Sequence, residues 1–153
     1  MVIFISIGRC EINRICKIMK IKELPRFDTP LPGQIMTGME AEKIIKGFLH
    51  RFRKVDSARV PSNLPTACIL QGRKLKDISN IPNLLRKPRI FFYLDPAPCF
   101  LYLTEPESVL NYLAKRQPWE DYDICLFDES LEWCIGITHN DDIIVSDTKG
   151  VLK

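Results

Sequence analysis

The sequence lacks the short motifs that mark several classes of enzyme and metal protein. It has no GxxxxGK[ST] or GxGxxG stretch, which cradle phosphates, and no GxSxG turn, which presents a nucleophilic serine. None of its six cysteines form a CxxC pair, and no acidic run matches a calcium-binding loop. The sequence therefore gives no signature of nucleotide binding, serine hydrolysis or a metal site, and we predict no cofactor.

Long apolar runs are also absent. The N-terminal stretch MVIFISIG is much shorter than the roughly 20 apolar residues that a membrane-spanning helix needs. No basic residue precedes it, as one would in a secretory signal. The cysteines have mostly apolar neighbours, which is typical of buried free thiols, with disulfides as the alternative. We therefore predict a cytoplasmic protein that does not enter a membrane.

The overall composition is that of a globular chain. Its 153 residues are 46% hydrophobic and 27% charged, enough for one domain with a buried core. Three prolines and two glycines between residues 24 and 38 predict an irregular lead-in. We expect this lead-in to cover 1–38 and a single domain to cover 39–153. Residues 1–18 are either an edge strand or an extension upstream of a second start at Met19.

A first helix is predicted over residues 40–54. Thr37 and Glu40 have the spacing of a capping box, in which the two side chains satisfy N–H groups at a helix start. Apolar residues then recur at helical spacing: Ile44, Ile45, Phe48, Leu49 and Phe52. Lys and Arg fill much of the remaining surface, so this helix is amphipathic and basic.

A β-hairpin and a second helix are predicted next. Residues 89–103 read RIFFYLDPAPCFLYL, in which two aromatic-rich apolar runs flank a proline turn. A helix is predicted over 105–116, with Thr104 and Glu107 as a capping box and Pro106 in the first turn. Before the hairpin, TACIL predicts a short strand, QGRKL a turn and DISNIPNLLRK a short helix.

The C-terminal stretch alternates with a period of two and predicts three strands. Apolar residues share one face of each of the first two: Tyr122, Ile124 and Leu126, then Trp133, Ile135, Ile137 and His139. DESLE and HNDD are the turns, and IIVSD is the third strand. The predicted fold class is α+β, with a mainly antiparallel sheet, built from the hairpin and this three-strand meander, packed by about two helices.

Charge is distributed unevenly along the chain. Residues 1–90 carry 18 Lys/Arg and 7 Asp/Glu, a net charge of +11, whereas residues 91–153 carry 4 and 12, a net charge of −8. Such polarity indicates a charged partner or pairing between the halves. Charge that merely solvates helix faces and sheet edges is the alternative.

Residues 119–139 resemble a segment of small bacterial domains of unassigned function and of predicted immunity proteins of toxin systems. The residues that carry the likeness are Trp119, Asp123, Phe127, Asp128, Trp133, Thr138 and His139. In this chain Asn140 follows the histidine, where no glutamate is present. The resemblance implies a non-catalytic cytoplasmic binder.

Three functions are consistent with these patterns. The leading one is a protein-binding module of immunity or antitoxin type, which inhibits a basic partner through acidic C-terminal surface at Trp119, Asp121, Asp123, Asp128 and Glu129. A nucleic-acid-associated protein is the first alternative, through Lys43, Lys46, Arg51, Arg53 and Lys54. A small enzyme built on His139 and nearby acids is the second, although the same residues suit a hydrogen-bonded histidine and acids that stabilise turns.

Overall fold

Seven antiparallel strands form one sheet in the computed structural model, which describes residues 27–52, 65–95 and 101–153. The strands are β1 (Gln34–Met36), β2 (Arg73–Leu75), β3 (Ile90–Asp95), β4 (Leu101–Thr104), β5 (Asp123–Phe127), β6 (Trp133–Ile137) and β7 (Ile143–Asp147). Their order across the sheet is β1-β4-β3-β5-β6-β7-β2. The five central strands therefore all come from residues 90–147, and β1 and β2 form the two edges.

Helices cover both faces of this sheet. They are α1 (Gly38–Phe52), α2 (Thr66–Ile69) and α3 (Pro106–Lys115), with a 3-10 turn at Ile78–Asn80. One core packs α1 and α2 against the sheet and includes Phe48, Phe91 and Phe127. The other packs α3 and the 3-10 turn against the opposite face and includes Phe92, Tyr112 and Trp133. Because both faces are covered, every residue of β5 and β6 is buried.

The predicted fold class is confirmed as α+β with a mainly antiparallel sheet packed by two longer helices. The predicted hairpin is the β3–β4 pair, and the predicted meander is β5–β6–β7. The alternation of the meander is also correct, because Ile124, Leu126, Ile135 and Ile137 share one core. Pro106 begins α3, where its missing N–H costs no helical hydrogen bond.

Three local predictions are wrong. TACIL holds α2 rather than a strand, because the buried Asp95 carboxylate accepts a hydrogen bond from the backbone N–H of Thr66 at the helix start. QGRKL holds β2 rather than a turn, since Arg73–Leu75 pairs with β7. The second capping box is absent: the N-cap of α3 is Glu105, which makes no capping hydrogen bond, and the hydroxyl of Thr104 donates to the Glu105 carbonyl.

The segment predicted to be an irregular lead-in contributes the edge strand β1. Gly33, immediately before this strand, has a φ of +90°, and a Cβ atom built on it would lie 2.3 Å from the carbonyl oxygen of Leu103. Only glycine fits so close to β4 in that conformation. The strand is therefore held directly against β4. Residues 1–18, predicted to be a strand or an extension, lie outside the described residues.

Candidate functional site

A buried carboxylate lies beside an exposed imidazole at the end of the sheet where β5 begins and β6 ends. The Oδ1 atom of Asp123 lies 2.8 Å from the backbone nitrogen of His139 and 3.0 Å from its Nδ1. Nε2 of the same ring lies 3.2 Å from the side-chain nitrogen of Asn140. If Nδ1–H donates to Asp123, Nε2 accepts from the Asn140 amide, so both ring nitrogens have a partner within the chain.

This pair has the geometry of a general base and the group that orients it, but the nearby thiol is unsuited to act as the nucleophile. Cys125 follows Asp123 on the same face of β5 and is fully buried. Burial raises the pKa of Cys125 well above its ordinary value, and Cys134, Asp95 and Asp123 raise it further. The thiol is therefore protonated at neutral pH. Cys99 lies outside the described residues.

The Asp123–His139 pair is expected to stabilise the fold mainly through its carboxylate. Asp123→Asn is expected to lower the free energy of unfolding by about 1–3 kcal/mol, because a buried acceptor of two hydrogen bonds loses its charge. His139→Gln is expected to cost less than about 1 kcal/mol, since the His139 side chain is 49% exposed. Urea denaturation followed by tryptophan fluorescence measures both.

Two outcomes would change this assignment. A loss for His139→Gln as large as that for Asp123→Asn would make the imidazole itself a core residue. An enzymatic activity that disappears in His139→Gln at unchanged stability would support the small-enzyme alternative.

Asp128, at the other end of β5, accepts hydrogen bonds from inside the chain. Its Oδ2 lies 2.8 Å from the indole nitrogen of Trp133 and 3.1 Å from Nζ of Lys87. Burial raises the pKa of Asp128, but hydrogen bonds from Ser130, Trp133 and Lys87 more than offset it, so the pKa lies below its ordinary value. The carboxylate thereby fixes the fully buried ring of Trp133.

Glu120 is a fully buried acid that the sequence analysis did not identify. Its carboxylate accepts hydrogen bonds from the backbone nitrogens of Asp28, Thr29 and Gln117 at 2.7, 2.8 and 2.7 Å, and from the Thr29 hydroxyl at 2.6 Å. It fastens the segment before β1 to the loop after α3. Asp28 and Thr29 are 92 and 91 residues away in the chain, so no local pattern could reveal the contact.

Three of the predicted binding residues are exposed, but they do not form one surface. Asp121 precedes β5 and Glu129 follows it, so the two acids flank a strand whose ends are roughly 13 Å apart. Trp119 is 54% exposed, and its indole nitrogen lies 2.9 Å from a carboxylate oxygen of Asp28. Trp119 stands two residues before Asp121 in the chain, on the side of β5 where the strand begins.

Asp121 lines a cleft of about 530 Å³, and Gln117 and Pro118, which directly precede Trp119 in the chain, line it too. The apolar lining of this cleft includes Ile78, Leu113, Ile137 and Ile143, and its polar lining includes Lys76, Asp77, Arg116, Gln117 and Asp141. Arg116 forms an ion pair with Asp141. Asp121, by contrast, makes no hydrogen bond or ion pair within the described ranges. The cleft therefore combines an apolar wall with the Asp121 carboxylate, which has no partner in the described ranges.

The basic face of α1 is only partly described. Lys43 and Lys46 are exposed, and the guanidinium of Arg51 lies 5.7 Å from the ring centre of Phe52. Arg53 and Lys54, the other two residues of the nucleic-acid alternative, lie outside the described residues. Lys43 and Lys46 are compatible with a solvated helix face as well as with phosphate contacts.

Comparison of the chain with protein-family models, curated proteins and solved structures found no match. No helix in the described ranges is long and apolar enough to cross a membrane. Within the same ranges, no group of three or more His, Cys, Asp or Glu side chains is arranged to hold a metal ion.

Proposed function

We propose that this protein is a non-catalytic binding module that receives a cationic side chain of a basic protein partner in the cleft beside Asp121. The observation that carries the proposal is the unpaired Asp121 carboxylate at an apolar cleft, with the exposed Trp119 close by in sequence. Lys and Arg have an apolar stem and a charged head, so one such side chain suits both parts of the cleft.

Electrostatics favour a cation over an anion in this cleft. Its lining has three carboxylates, Asp77, Asp121 and Asp141, and two cationic side chains, Lys76 and Arg116. Arg116 forms an ion pair with Asp141, so the charges of these two side chains cancel. The carboxylates of Asp77 and Asp121 and the ammonium group of Lys76 remain. A basic partner would therefore gain attraction at the cleft, and complementary charge raises association rates as well as selectivity.

Trp119 is the residue we propose as the aromatic contact of the interface. It is one of four large apolar side chains that are exposed in the described ranges, and its hydrogen bond to Asp28 holds the indole in place. Tryptophan is enriched among residues that dominate binding energy, and a ring already held in place loses little entropy on binding.

The resemblance of residues 119–139 to predicted immunity proteins supports a more specific form of this function. In that form the module is cytoplasmic, and its partner is a basic toxin that it inhibits. Asp123 and Asp128, which the sequence analysis also assigned to the surface, are engaged inside the chain, so the proposal rests on Trp119, Asp121 and the cleft.

Reversing the charge of Asp121 is expected to weaken partner binding at least about tenfold, because a cationic side chain then meets a lysine. The matched control is Glu129→Lys, the same charge reversal at the opposite end of β5. Each variant and the unmodified protein are used as bait in the host lysate, with nuclease treatment. Captured proteins are then quantified by mass spectrometry.

A basic protein retained by Glu129→Lys and lost by Asp121→Lys and Trp119→Ala would support the proposal. Equal capture by all of these baits would contradict it. Capture that nuclease abolishes and that falls steeply with salt would instead support the nucleic-acid alternative.

A further inference from the structure

A cationic side chain of the chain itself already lines the cleft beside Asp121. Arg116 ends α3, and its guanidinium forms an ion pair with the carboxylate of Asp141 in the turn between β6 and β7. Both side chains line the cleft. The Arg116 side chain is only 12% exposed, whereas that of Asp141 is 77% exposed. A cation that enters the cleft from solvent can therefore reach the carboxylate that Arg116 neutralises.

The ion pair between Arg116 and Asp141 uses only part of the guanidinium. Nη2 contacts the Asp141 carboxylate, whereas Nη1 is buried and has no hydrogen-bond partner in the part of the chain that the structure describes. An arginine that contacts a carboxylate through one nitrogen is held less firmly than one that makes the two parallel contacts of a bidentate pair. The exposure of Asp141 weakens the pair further, because water screens it.

We propose that Arg116 is an internal competitor for the cation that the cleft receives, and that a lysine or arginine of the partner displaces it from Asp141. This inference rests on the proposed function, because it concerns the same cleft. The incoming cation gains the attraction of the Asp141 carboxylate in addition to that of Asp121. Arg116 therefore sets how tightly a cationic partner binds.

A displaced Arg116 side chain has an acceptor inside the protein. The backbone N–H of Arg116 donates to the Tyr112 carbonyl at 2.8 Å, so the two residues are one helical turn apart. The Tyr112 hydroxyl is buried and has no hydrogen-bond partner within the described ranges. Burial, followed by the Glu120 charge, raises the pKa of Tyr112 to about 12, and the Arg116 charge acts in the opposite direction. The hydroxyl therefore stays protonated at neutral pH, and its oxygen can accept a hydrogen bond from the released guanidinium.

Titration of the full chain with a capped lysine, followed by two-dimensional NMR of the isotope-labelled protein, measures the affinity of the cleft for one cationic side chain. The ligand is Nα-acetyl-lysine N-methylamide, whose only charge is its ammonium group. Capped norleucine, which has an apolar stem and no charge, is the control ligand. We expect a Kd on the order of 1 mM for a single side chain. Shifts should appear at the backbone amides of Asp121, Ile137 and Ile143, which line the cleft.

Arg116→Gln is expected to lower this Kd about two- to fivefold, because it frees the Asp141 carboxylate and one exposed ion pair contributes that much. Asp141→Asn is expected to raise the Kd, since it leaves the Arg116 charge uncompensated at the cleft. The two effects should offset each other in the double variant. Arg116→Lys keeps the charge and should bind like the unmodified protein. The amide spectra check that each variant is folded, and Arg116→Met, which keeps the apolar stem, takes the place of Arg116→Gln if that variant does not fold.

An Arg116→Gln variant that binds capped lysine no more tightly than the unmodified protein would overturn the competition. If Asp121→Lys still abolishes binding in that case, the cleft receives a cation as proposed and only the role of Arg116 is lost. If neither the unmodified protein nor Arg116→Gln binds capped lysine, the cation site and the competition both fail. Equal tightening for capped norleucine would also overturn the competition, because Arg116→Gln would then act by exposing apolar surface rather than by freeing Asp141.

Discussion

Replacing Phe48 with alanine is expected to lower the free energy of unfolding by about 3–5 kcal/mol, the usual cost of removing a buried phenylalanine. Phe48 is fully buried, and its ring stacks on that of Phe127 with centroids 4.2 Å apart and planes 13° apart. It also meets Tyr93 edge-on at 5.9 Å. This one side chain therefore fixes α1 to the centre of the sheet, and its removal leaves a cavity there.

Urea denaturation of Phe48→Ala measures this cost, with Met39→Ala as the control. Met39 lies in the same helix but is 83% exposed, so its truncation is expected to change stability by less than about 0.5 kcal/mol. A loss below about 1 kcal/mol for Phe48→Ala would contradict the packing of α1 against β5.

Glu120→Gln is expected to lower the free energy of unfolding by about 2–4 kcal/mol. The buried carboxylate accepts four hydrogen bonds, and hydrogen bonds to a charged acceptor are stronger than those to a neutral one. An amide removes the charge and turns one acceptor into a donor that faces N–H groups. The segment of Asp28 and Thr29 should loosen as a result. Trp119 fluorescence should change with it, because the Trp119 indole donates a hydrogen bond to Asp28.

The same carboxylate predicts how stability depends on pH. Burial raises the pKa of Glu120, but hydrogen bonds from Thr29, Gln117 and Asp28 outweigh it and lower the pKa from 4.5 to about 2. A lowered folded-state pKa means that the stabilisation is complete above about pH 5 and is lost as the pH falls from 4.5 towards 2. Denaturation midpoints measured between pH 2 and pH 7 test this.

The control for the loss of stability at low pH is Glu129→Gln. This substitution removes an exposed carboxylate and should leave the pH dependence of stability unchanged. Glu120→Gln should flatten the fall in stability below pH 5, because the titrating group is gone. If Glu120→Gln loses as much stability below pH 5 as the unmodified protein, other carboxylates cause that loss.

Sequence patterns predict the elements in which a regular spacing of apolar residues marks the buried face. The apolar spacing of α1 and the alternation of β5 and β6 each identify the buried face, because those faces simply exclude water. α2 was missed because its causes are distant: Asp95 supplies a hydrogen bond at its start, and Gly136 leaves room for Ala67, which would lie 3.3 Å from a Cβ at that glycine.

The surroundings of the candidate site residues depend on contacts between distant parts of the chain. Trp119 and Asp121 are exposed as expected, but Asp123 and Asp128 are held by His139 and Trp133, contacts that depend on strand register. The cleft draws its wall from the 3-10 turn, α3, β6 and β7 together, which no local pattern brings into one place.

The uneven charge of the chain is partly used for internal pairing. Lys87 pairs with Asp128 at 3.1 Å and Lys74 with Asp142 at 3.9 Å, and each pair joins the basic half to the acidic half. The Lys74–Asp142 pair is well exposed, so it adds little stability. Internal pairing therefore accounts for part of the polarity, and Asp121 and Glu129 keep their charge for solvent or a partner.

The strand order also sets a constraint on synthesis. All five central strands come from residues 90–147, yet β1, α1, α2 and β2 leave the ribosome before any of them. The first half of the chain therefore has no sheet to dock on until the second half has been translated. The strands that cover Phe48 in the folded protein are absent during that interval, so we expect a nascent chain paused before residue 90 to be a substrate for chaperones and proteases.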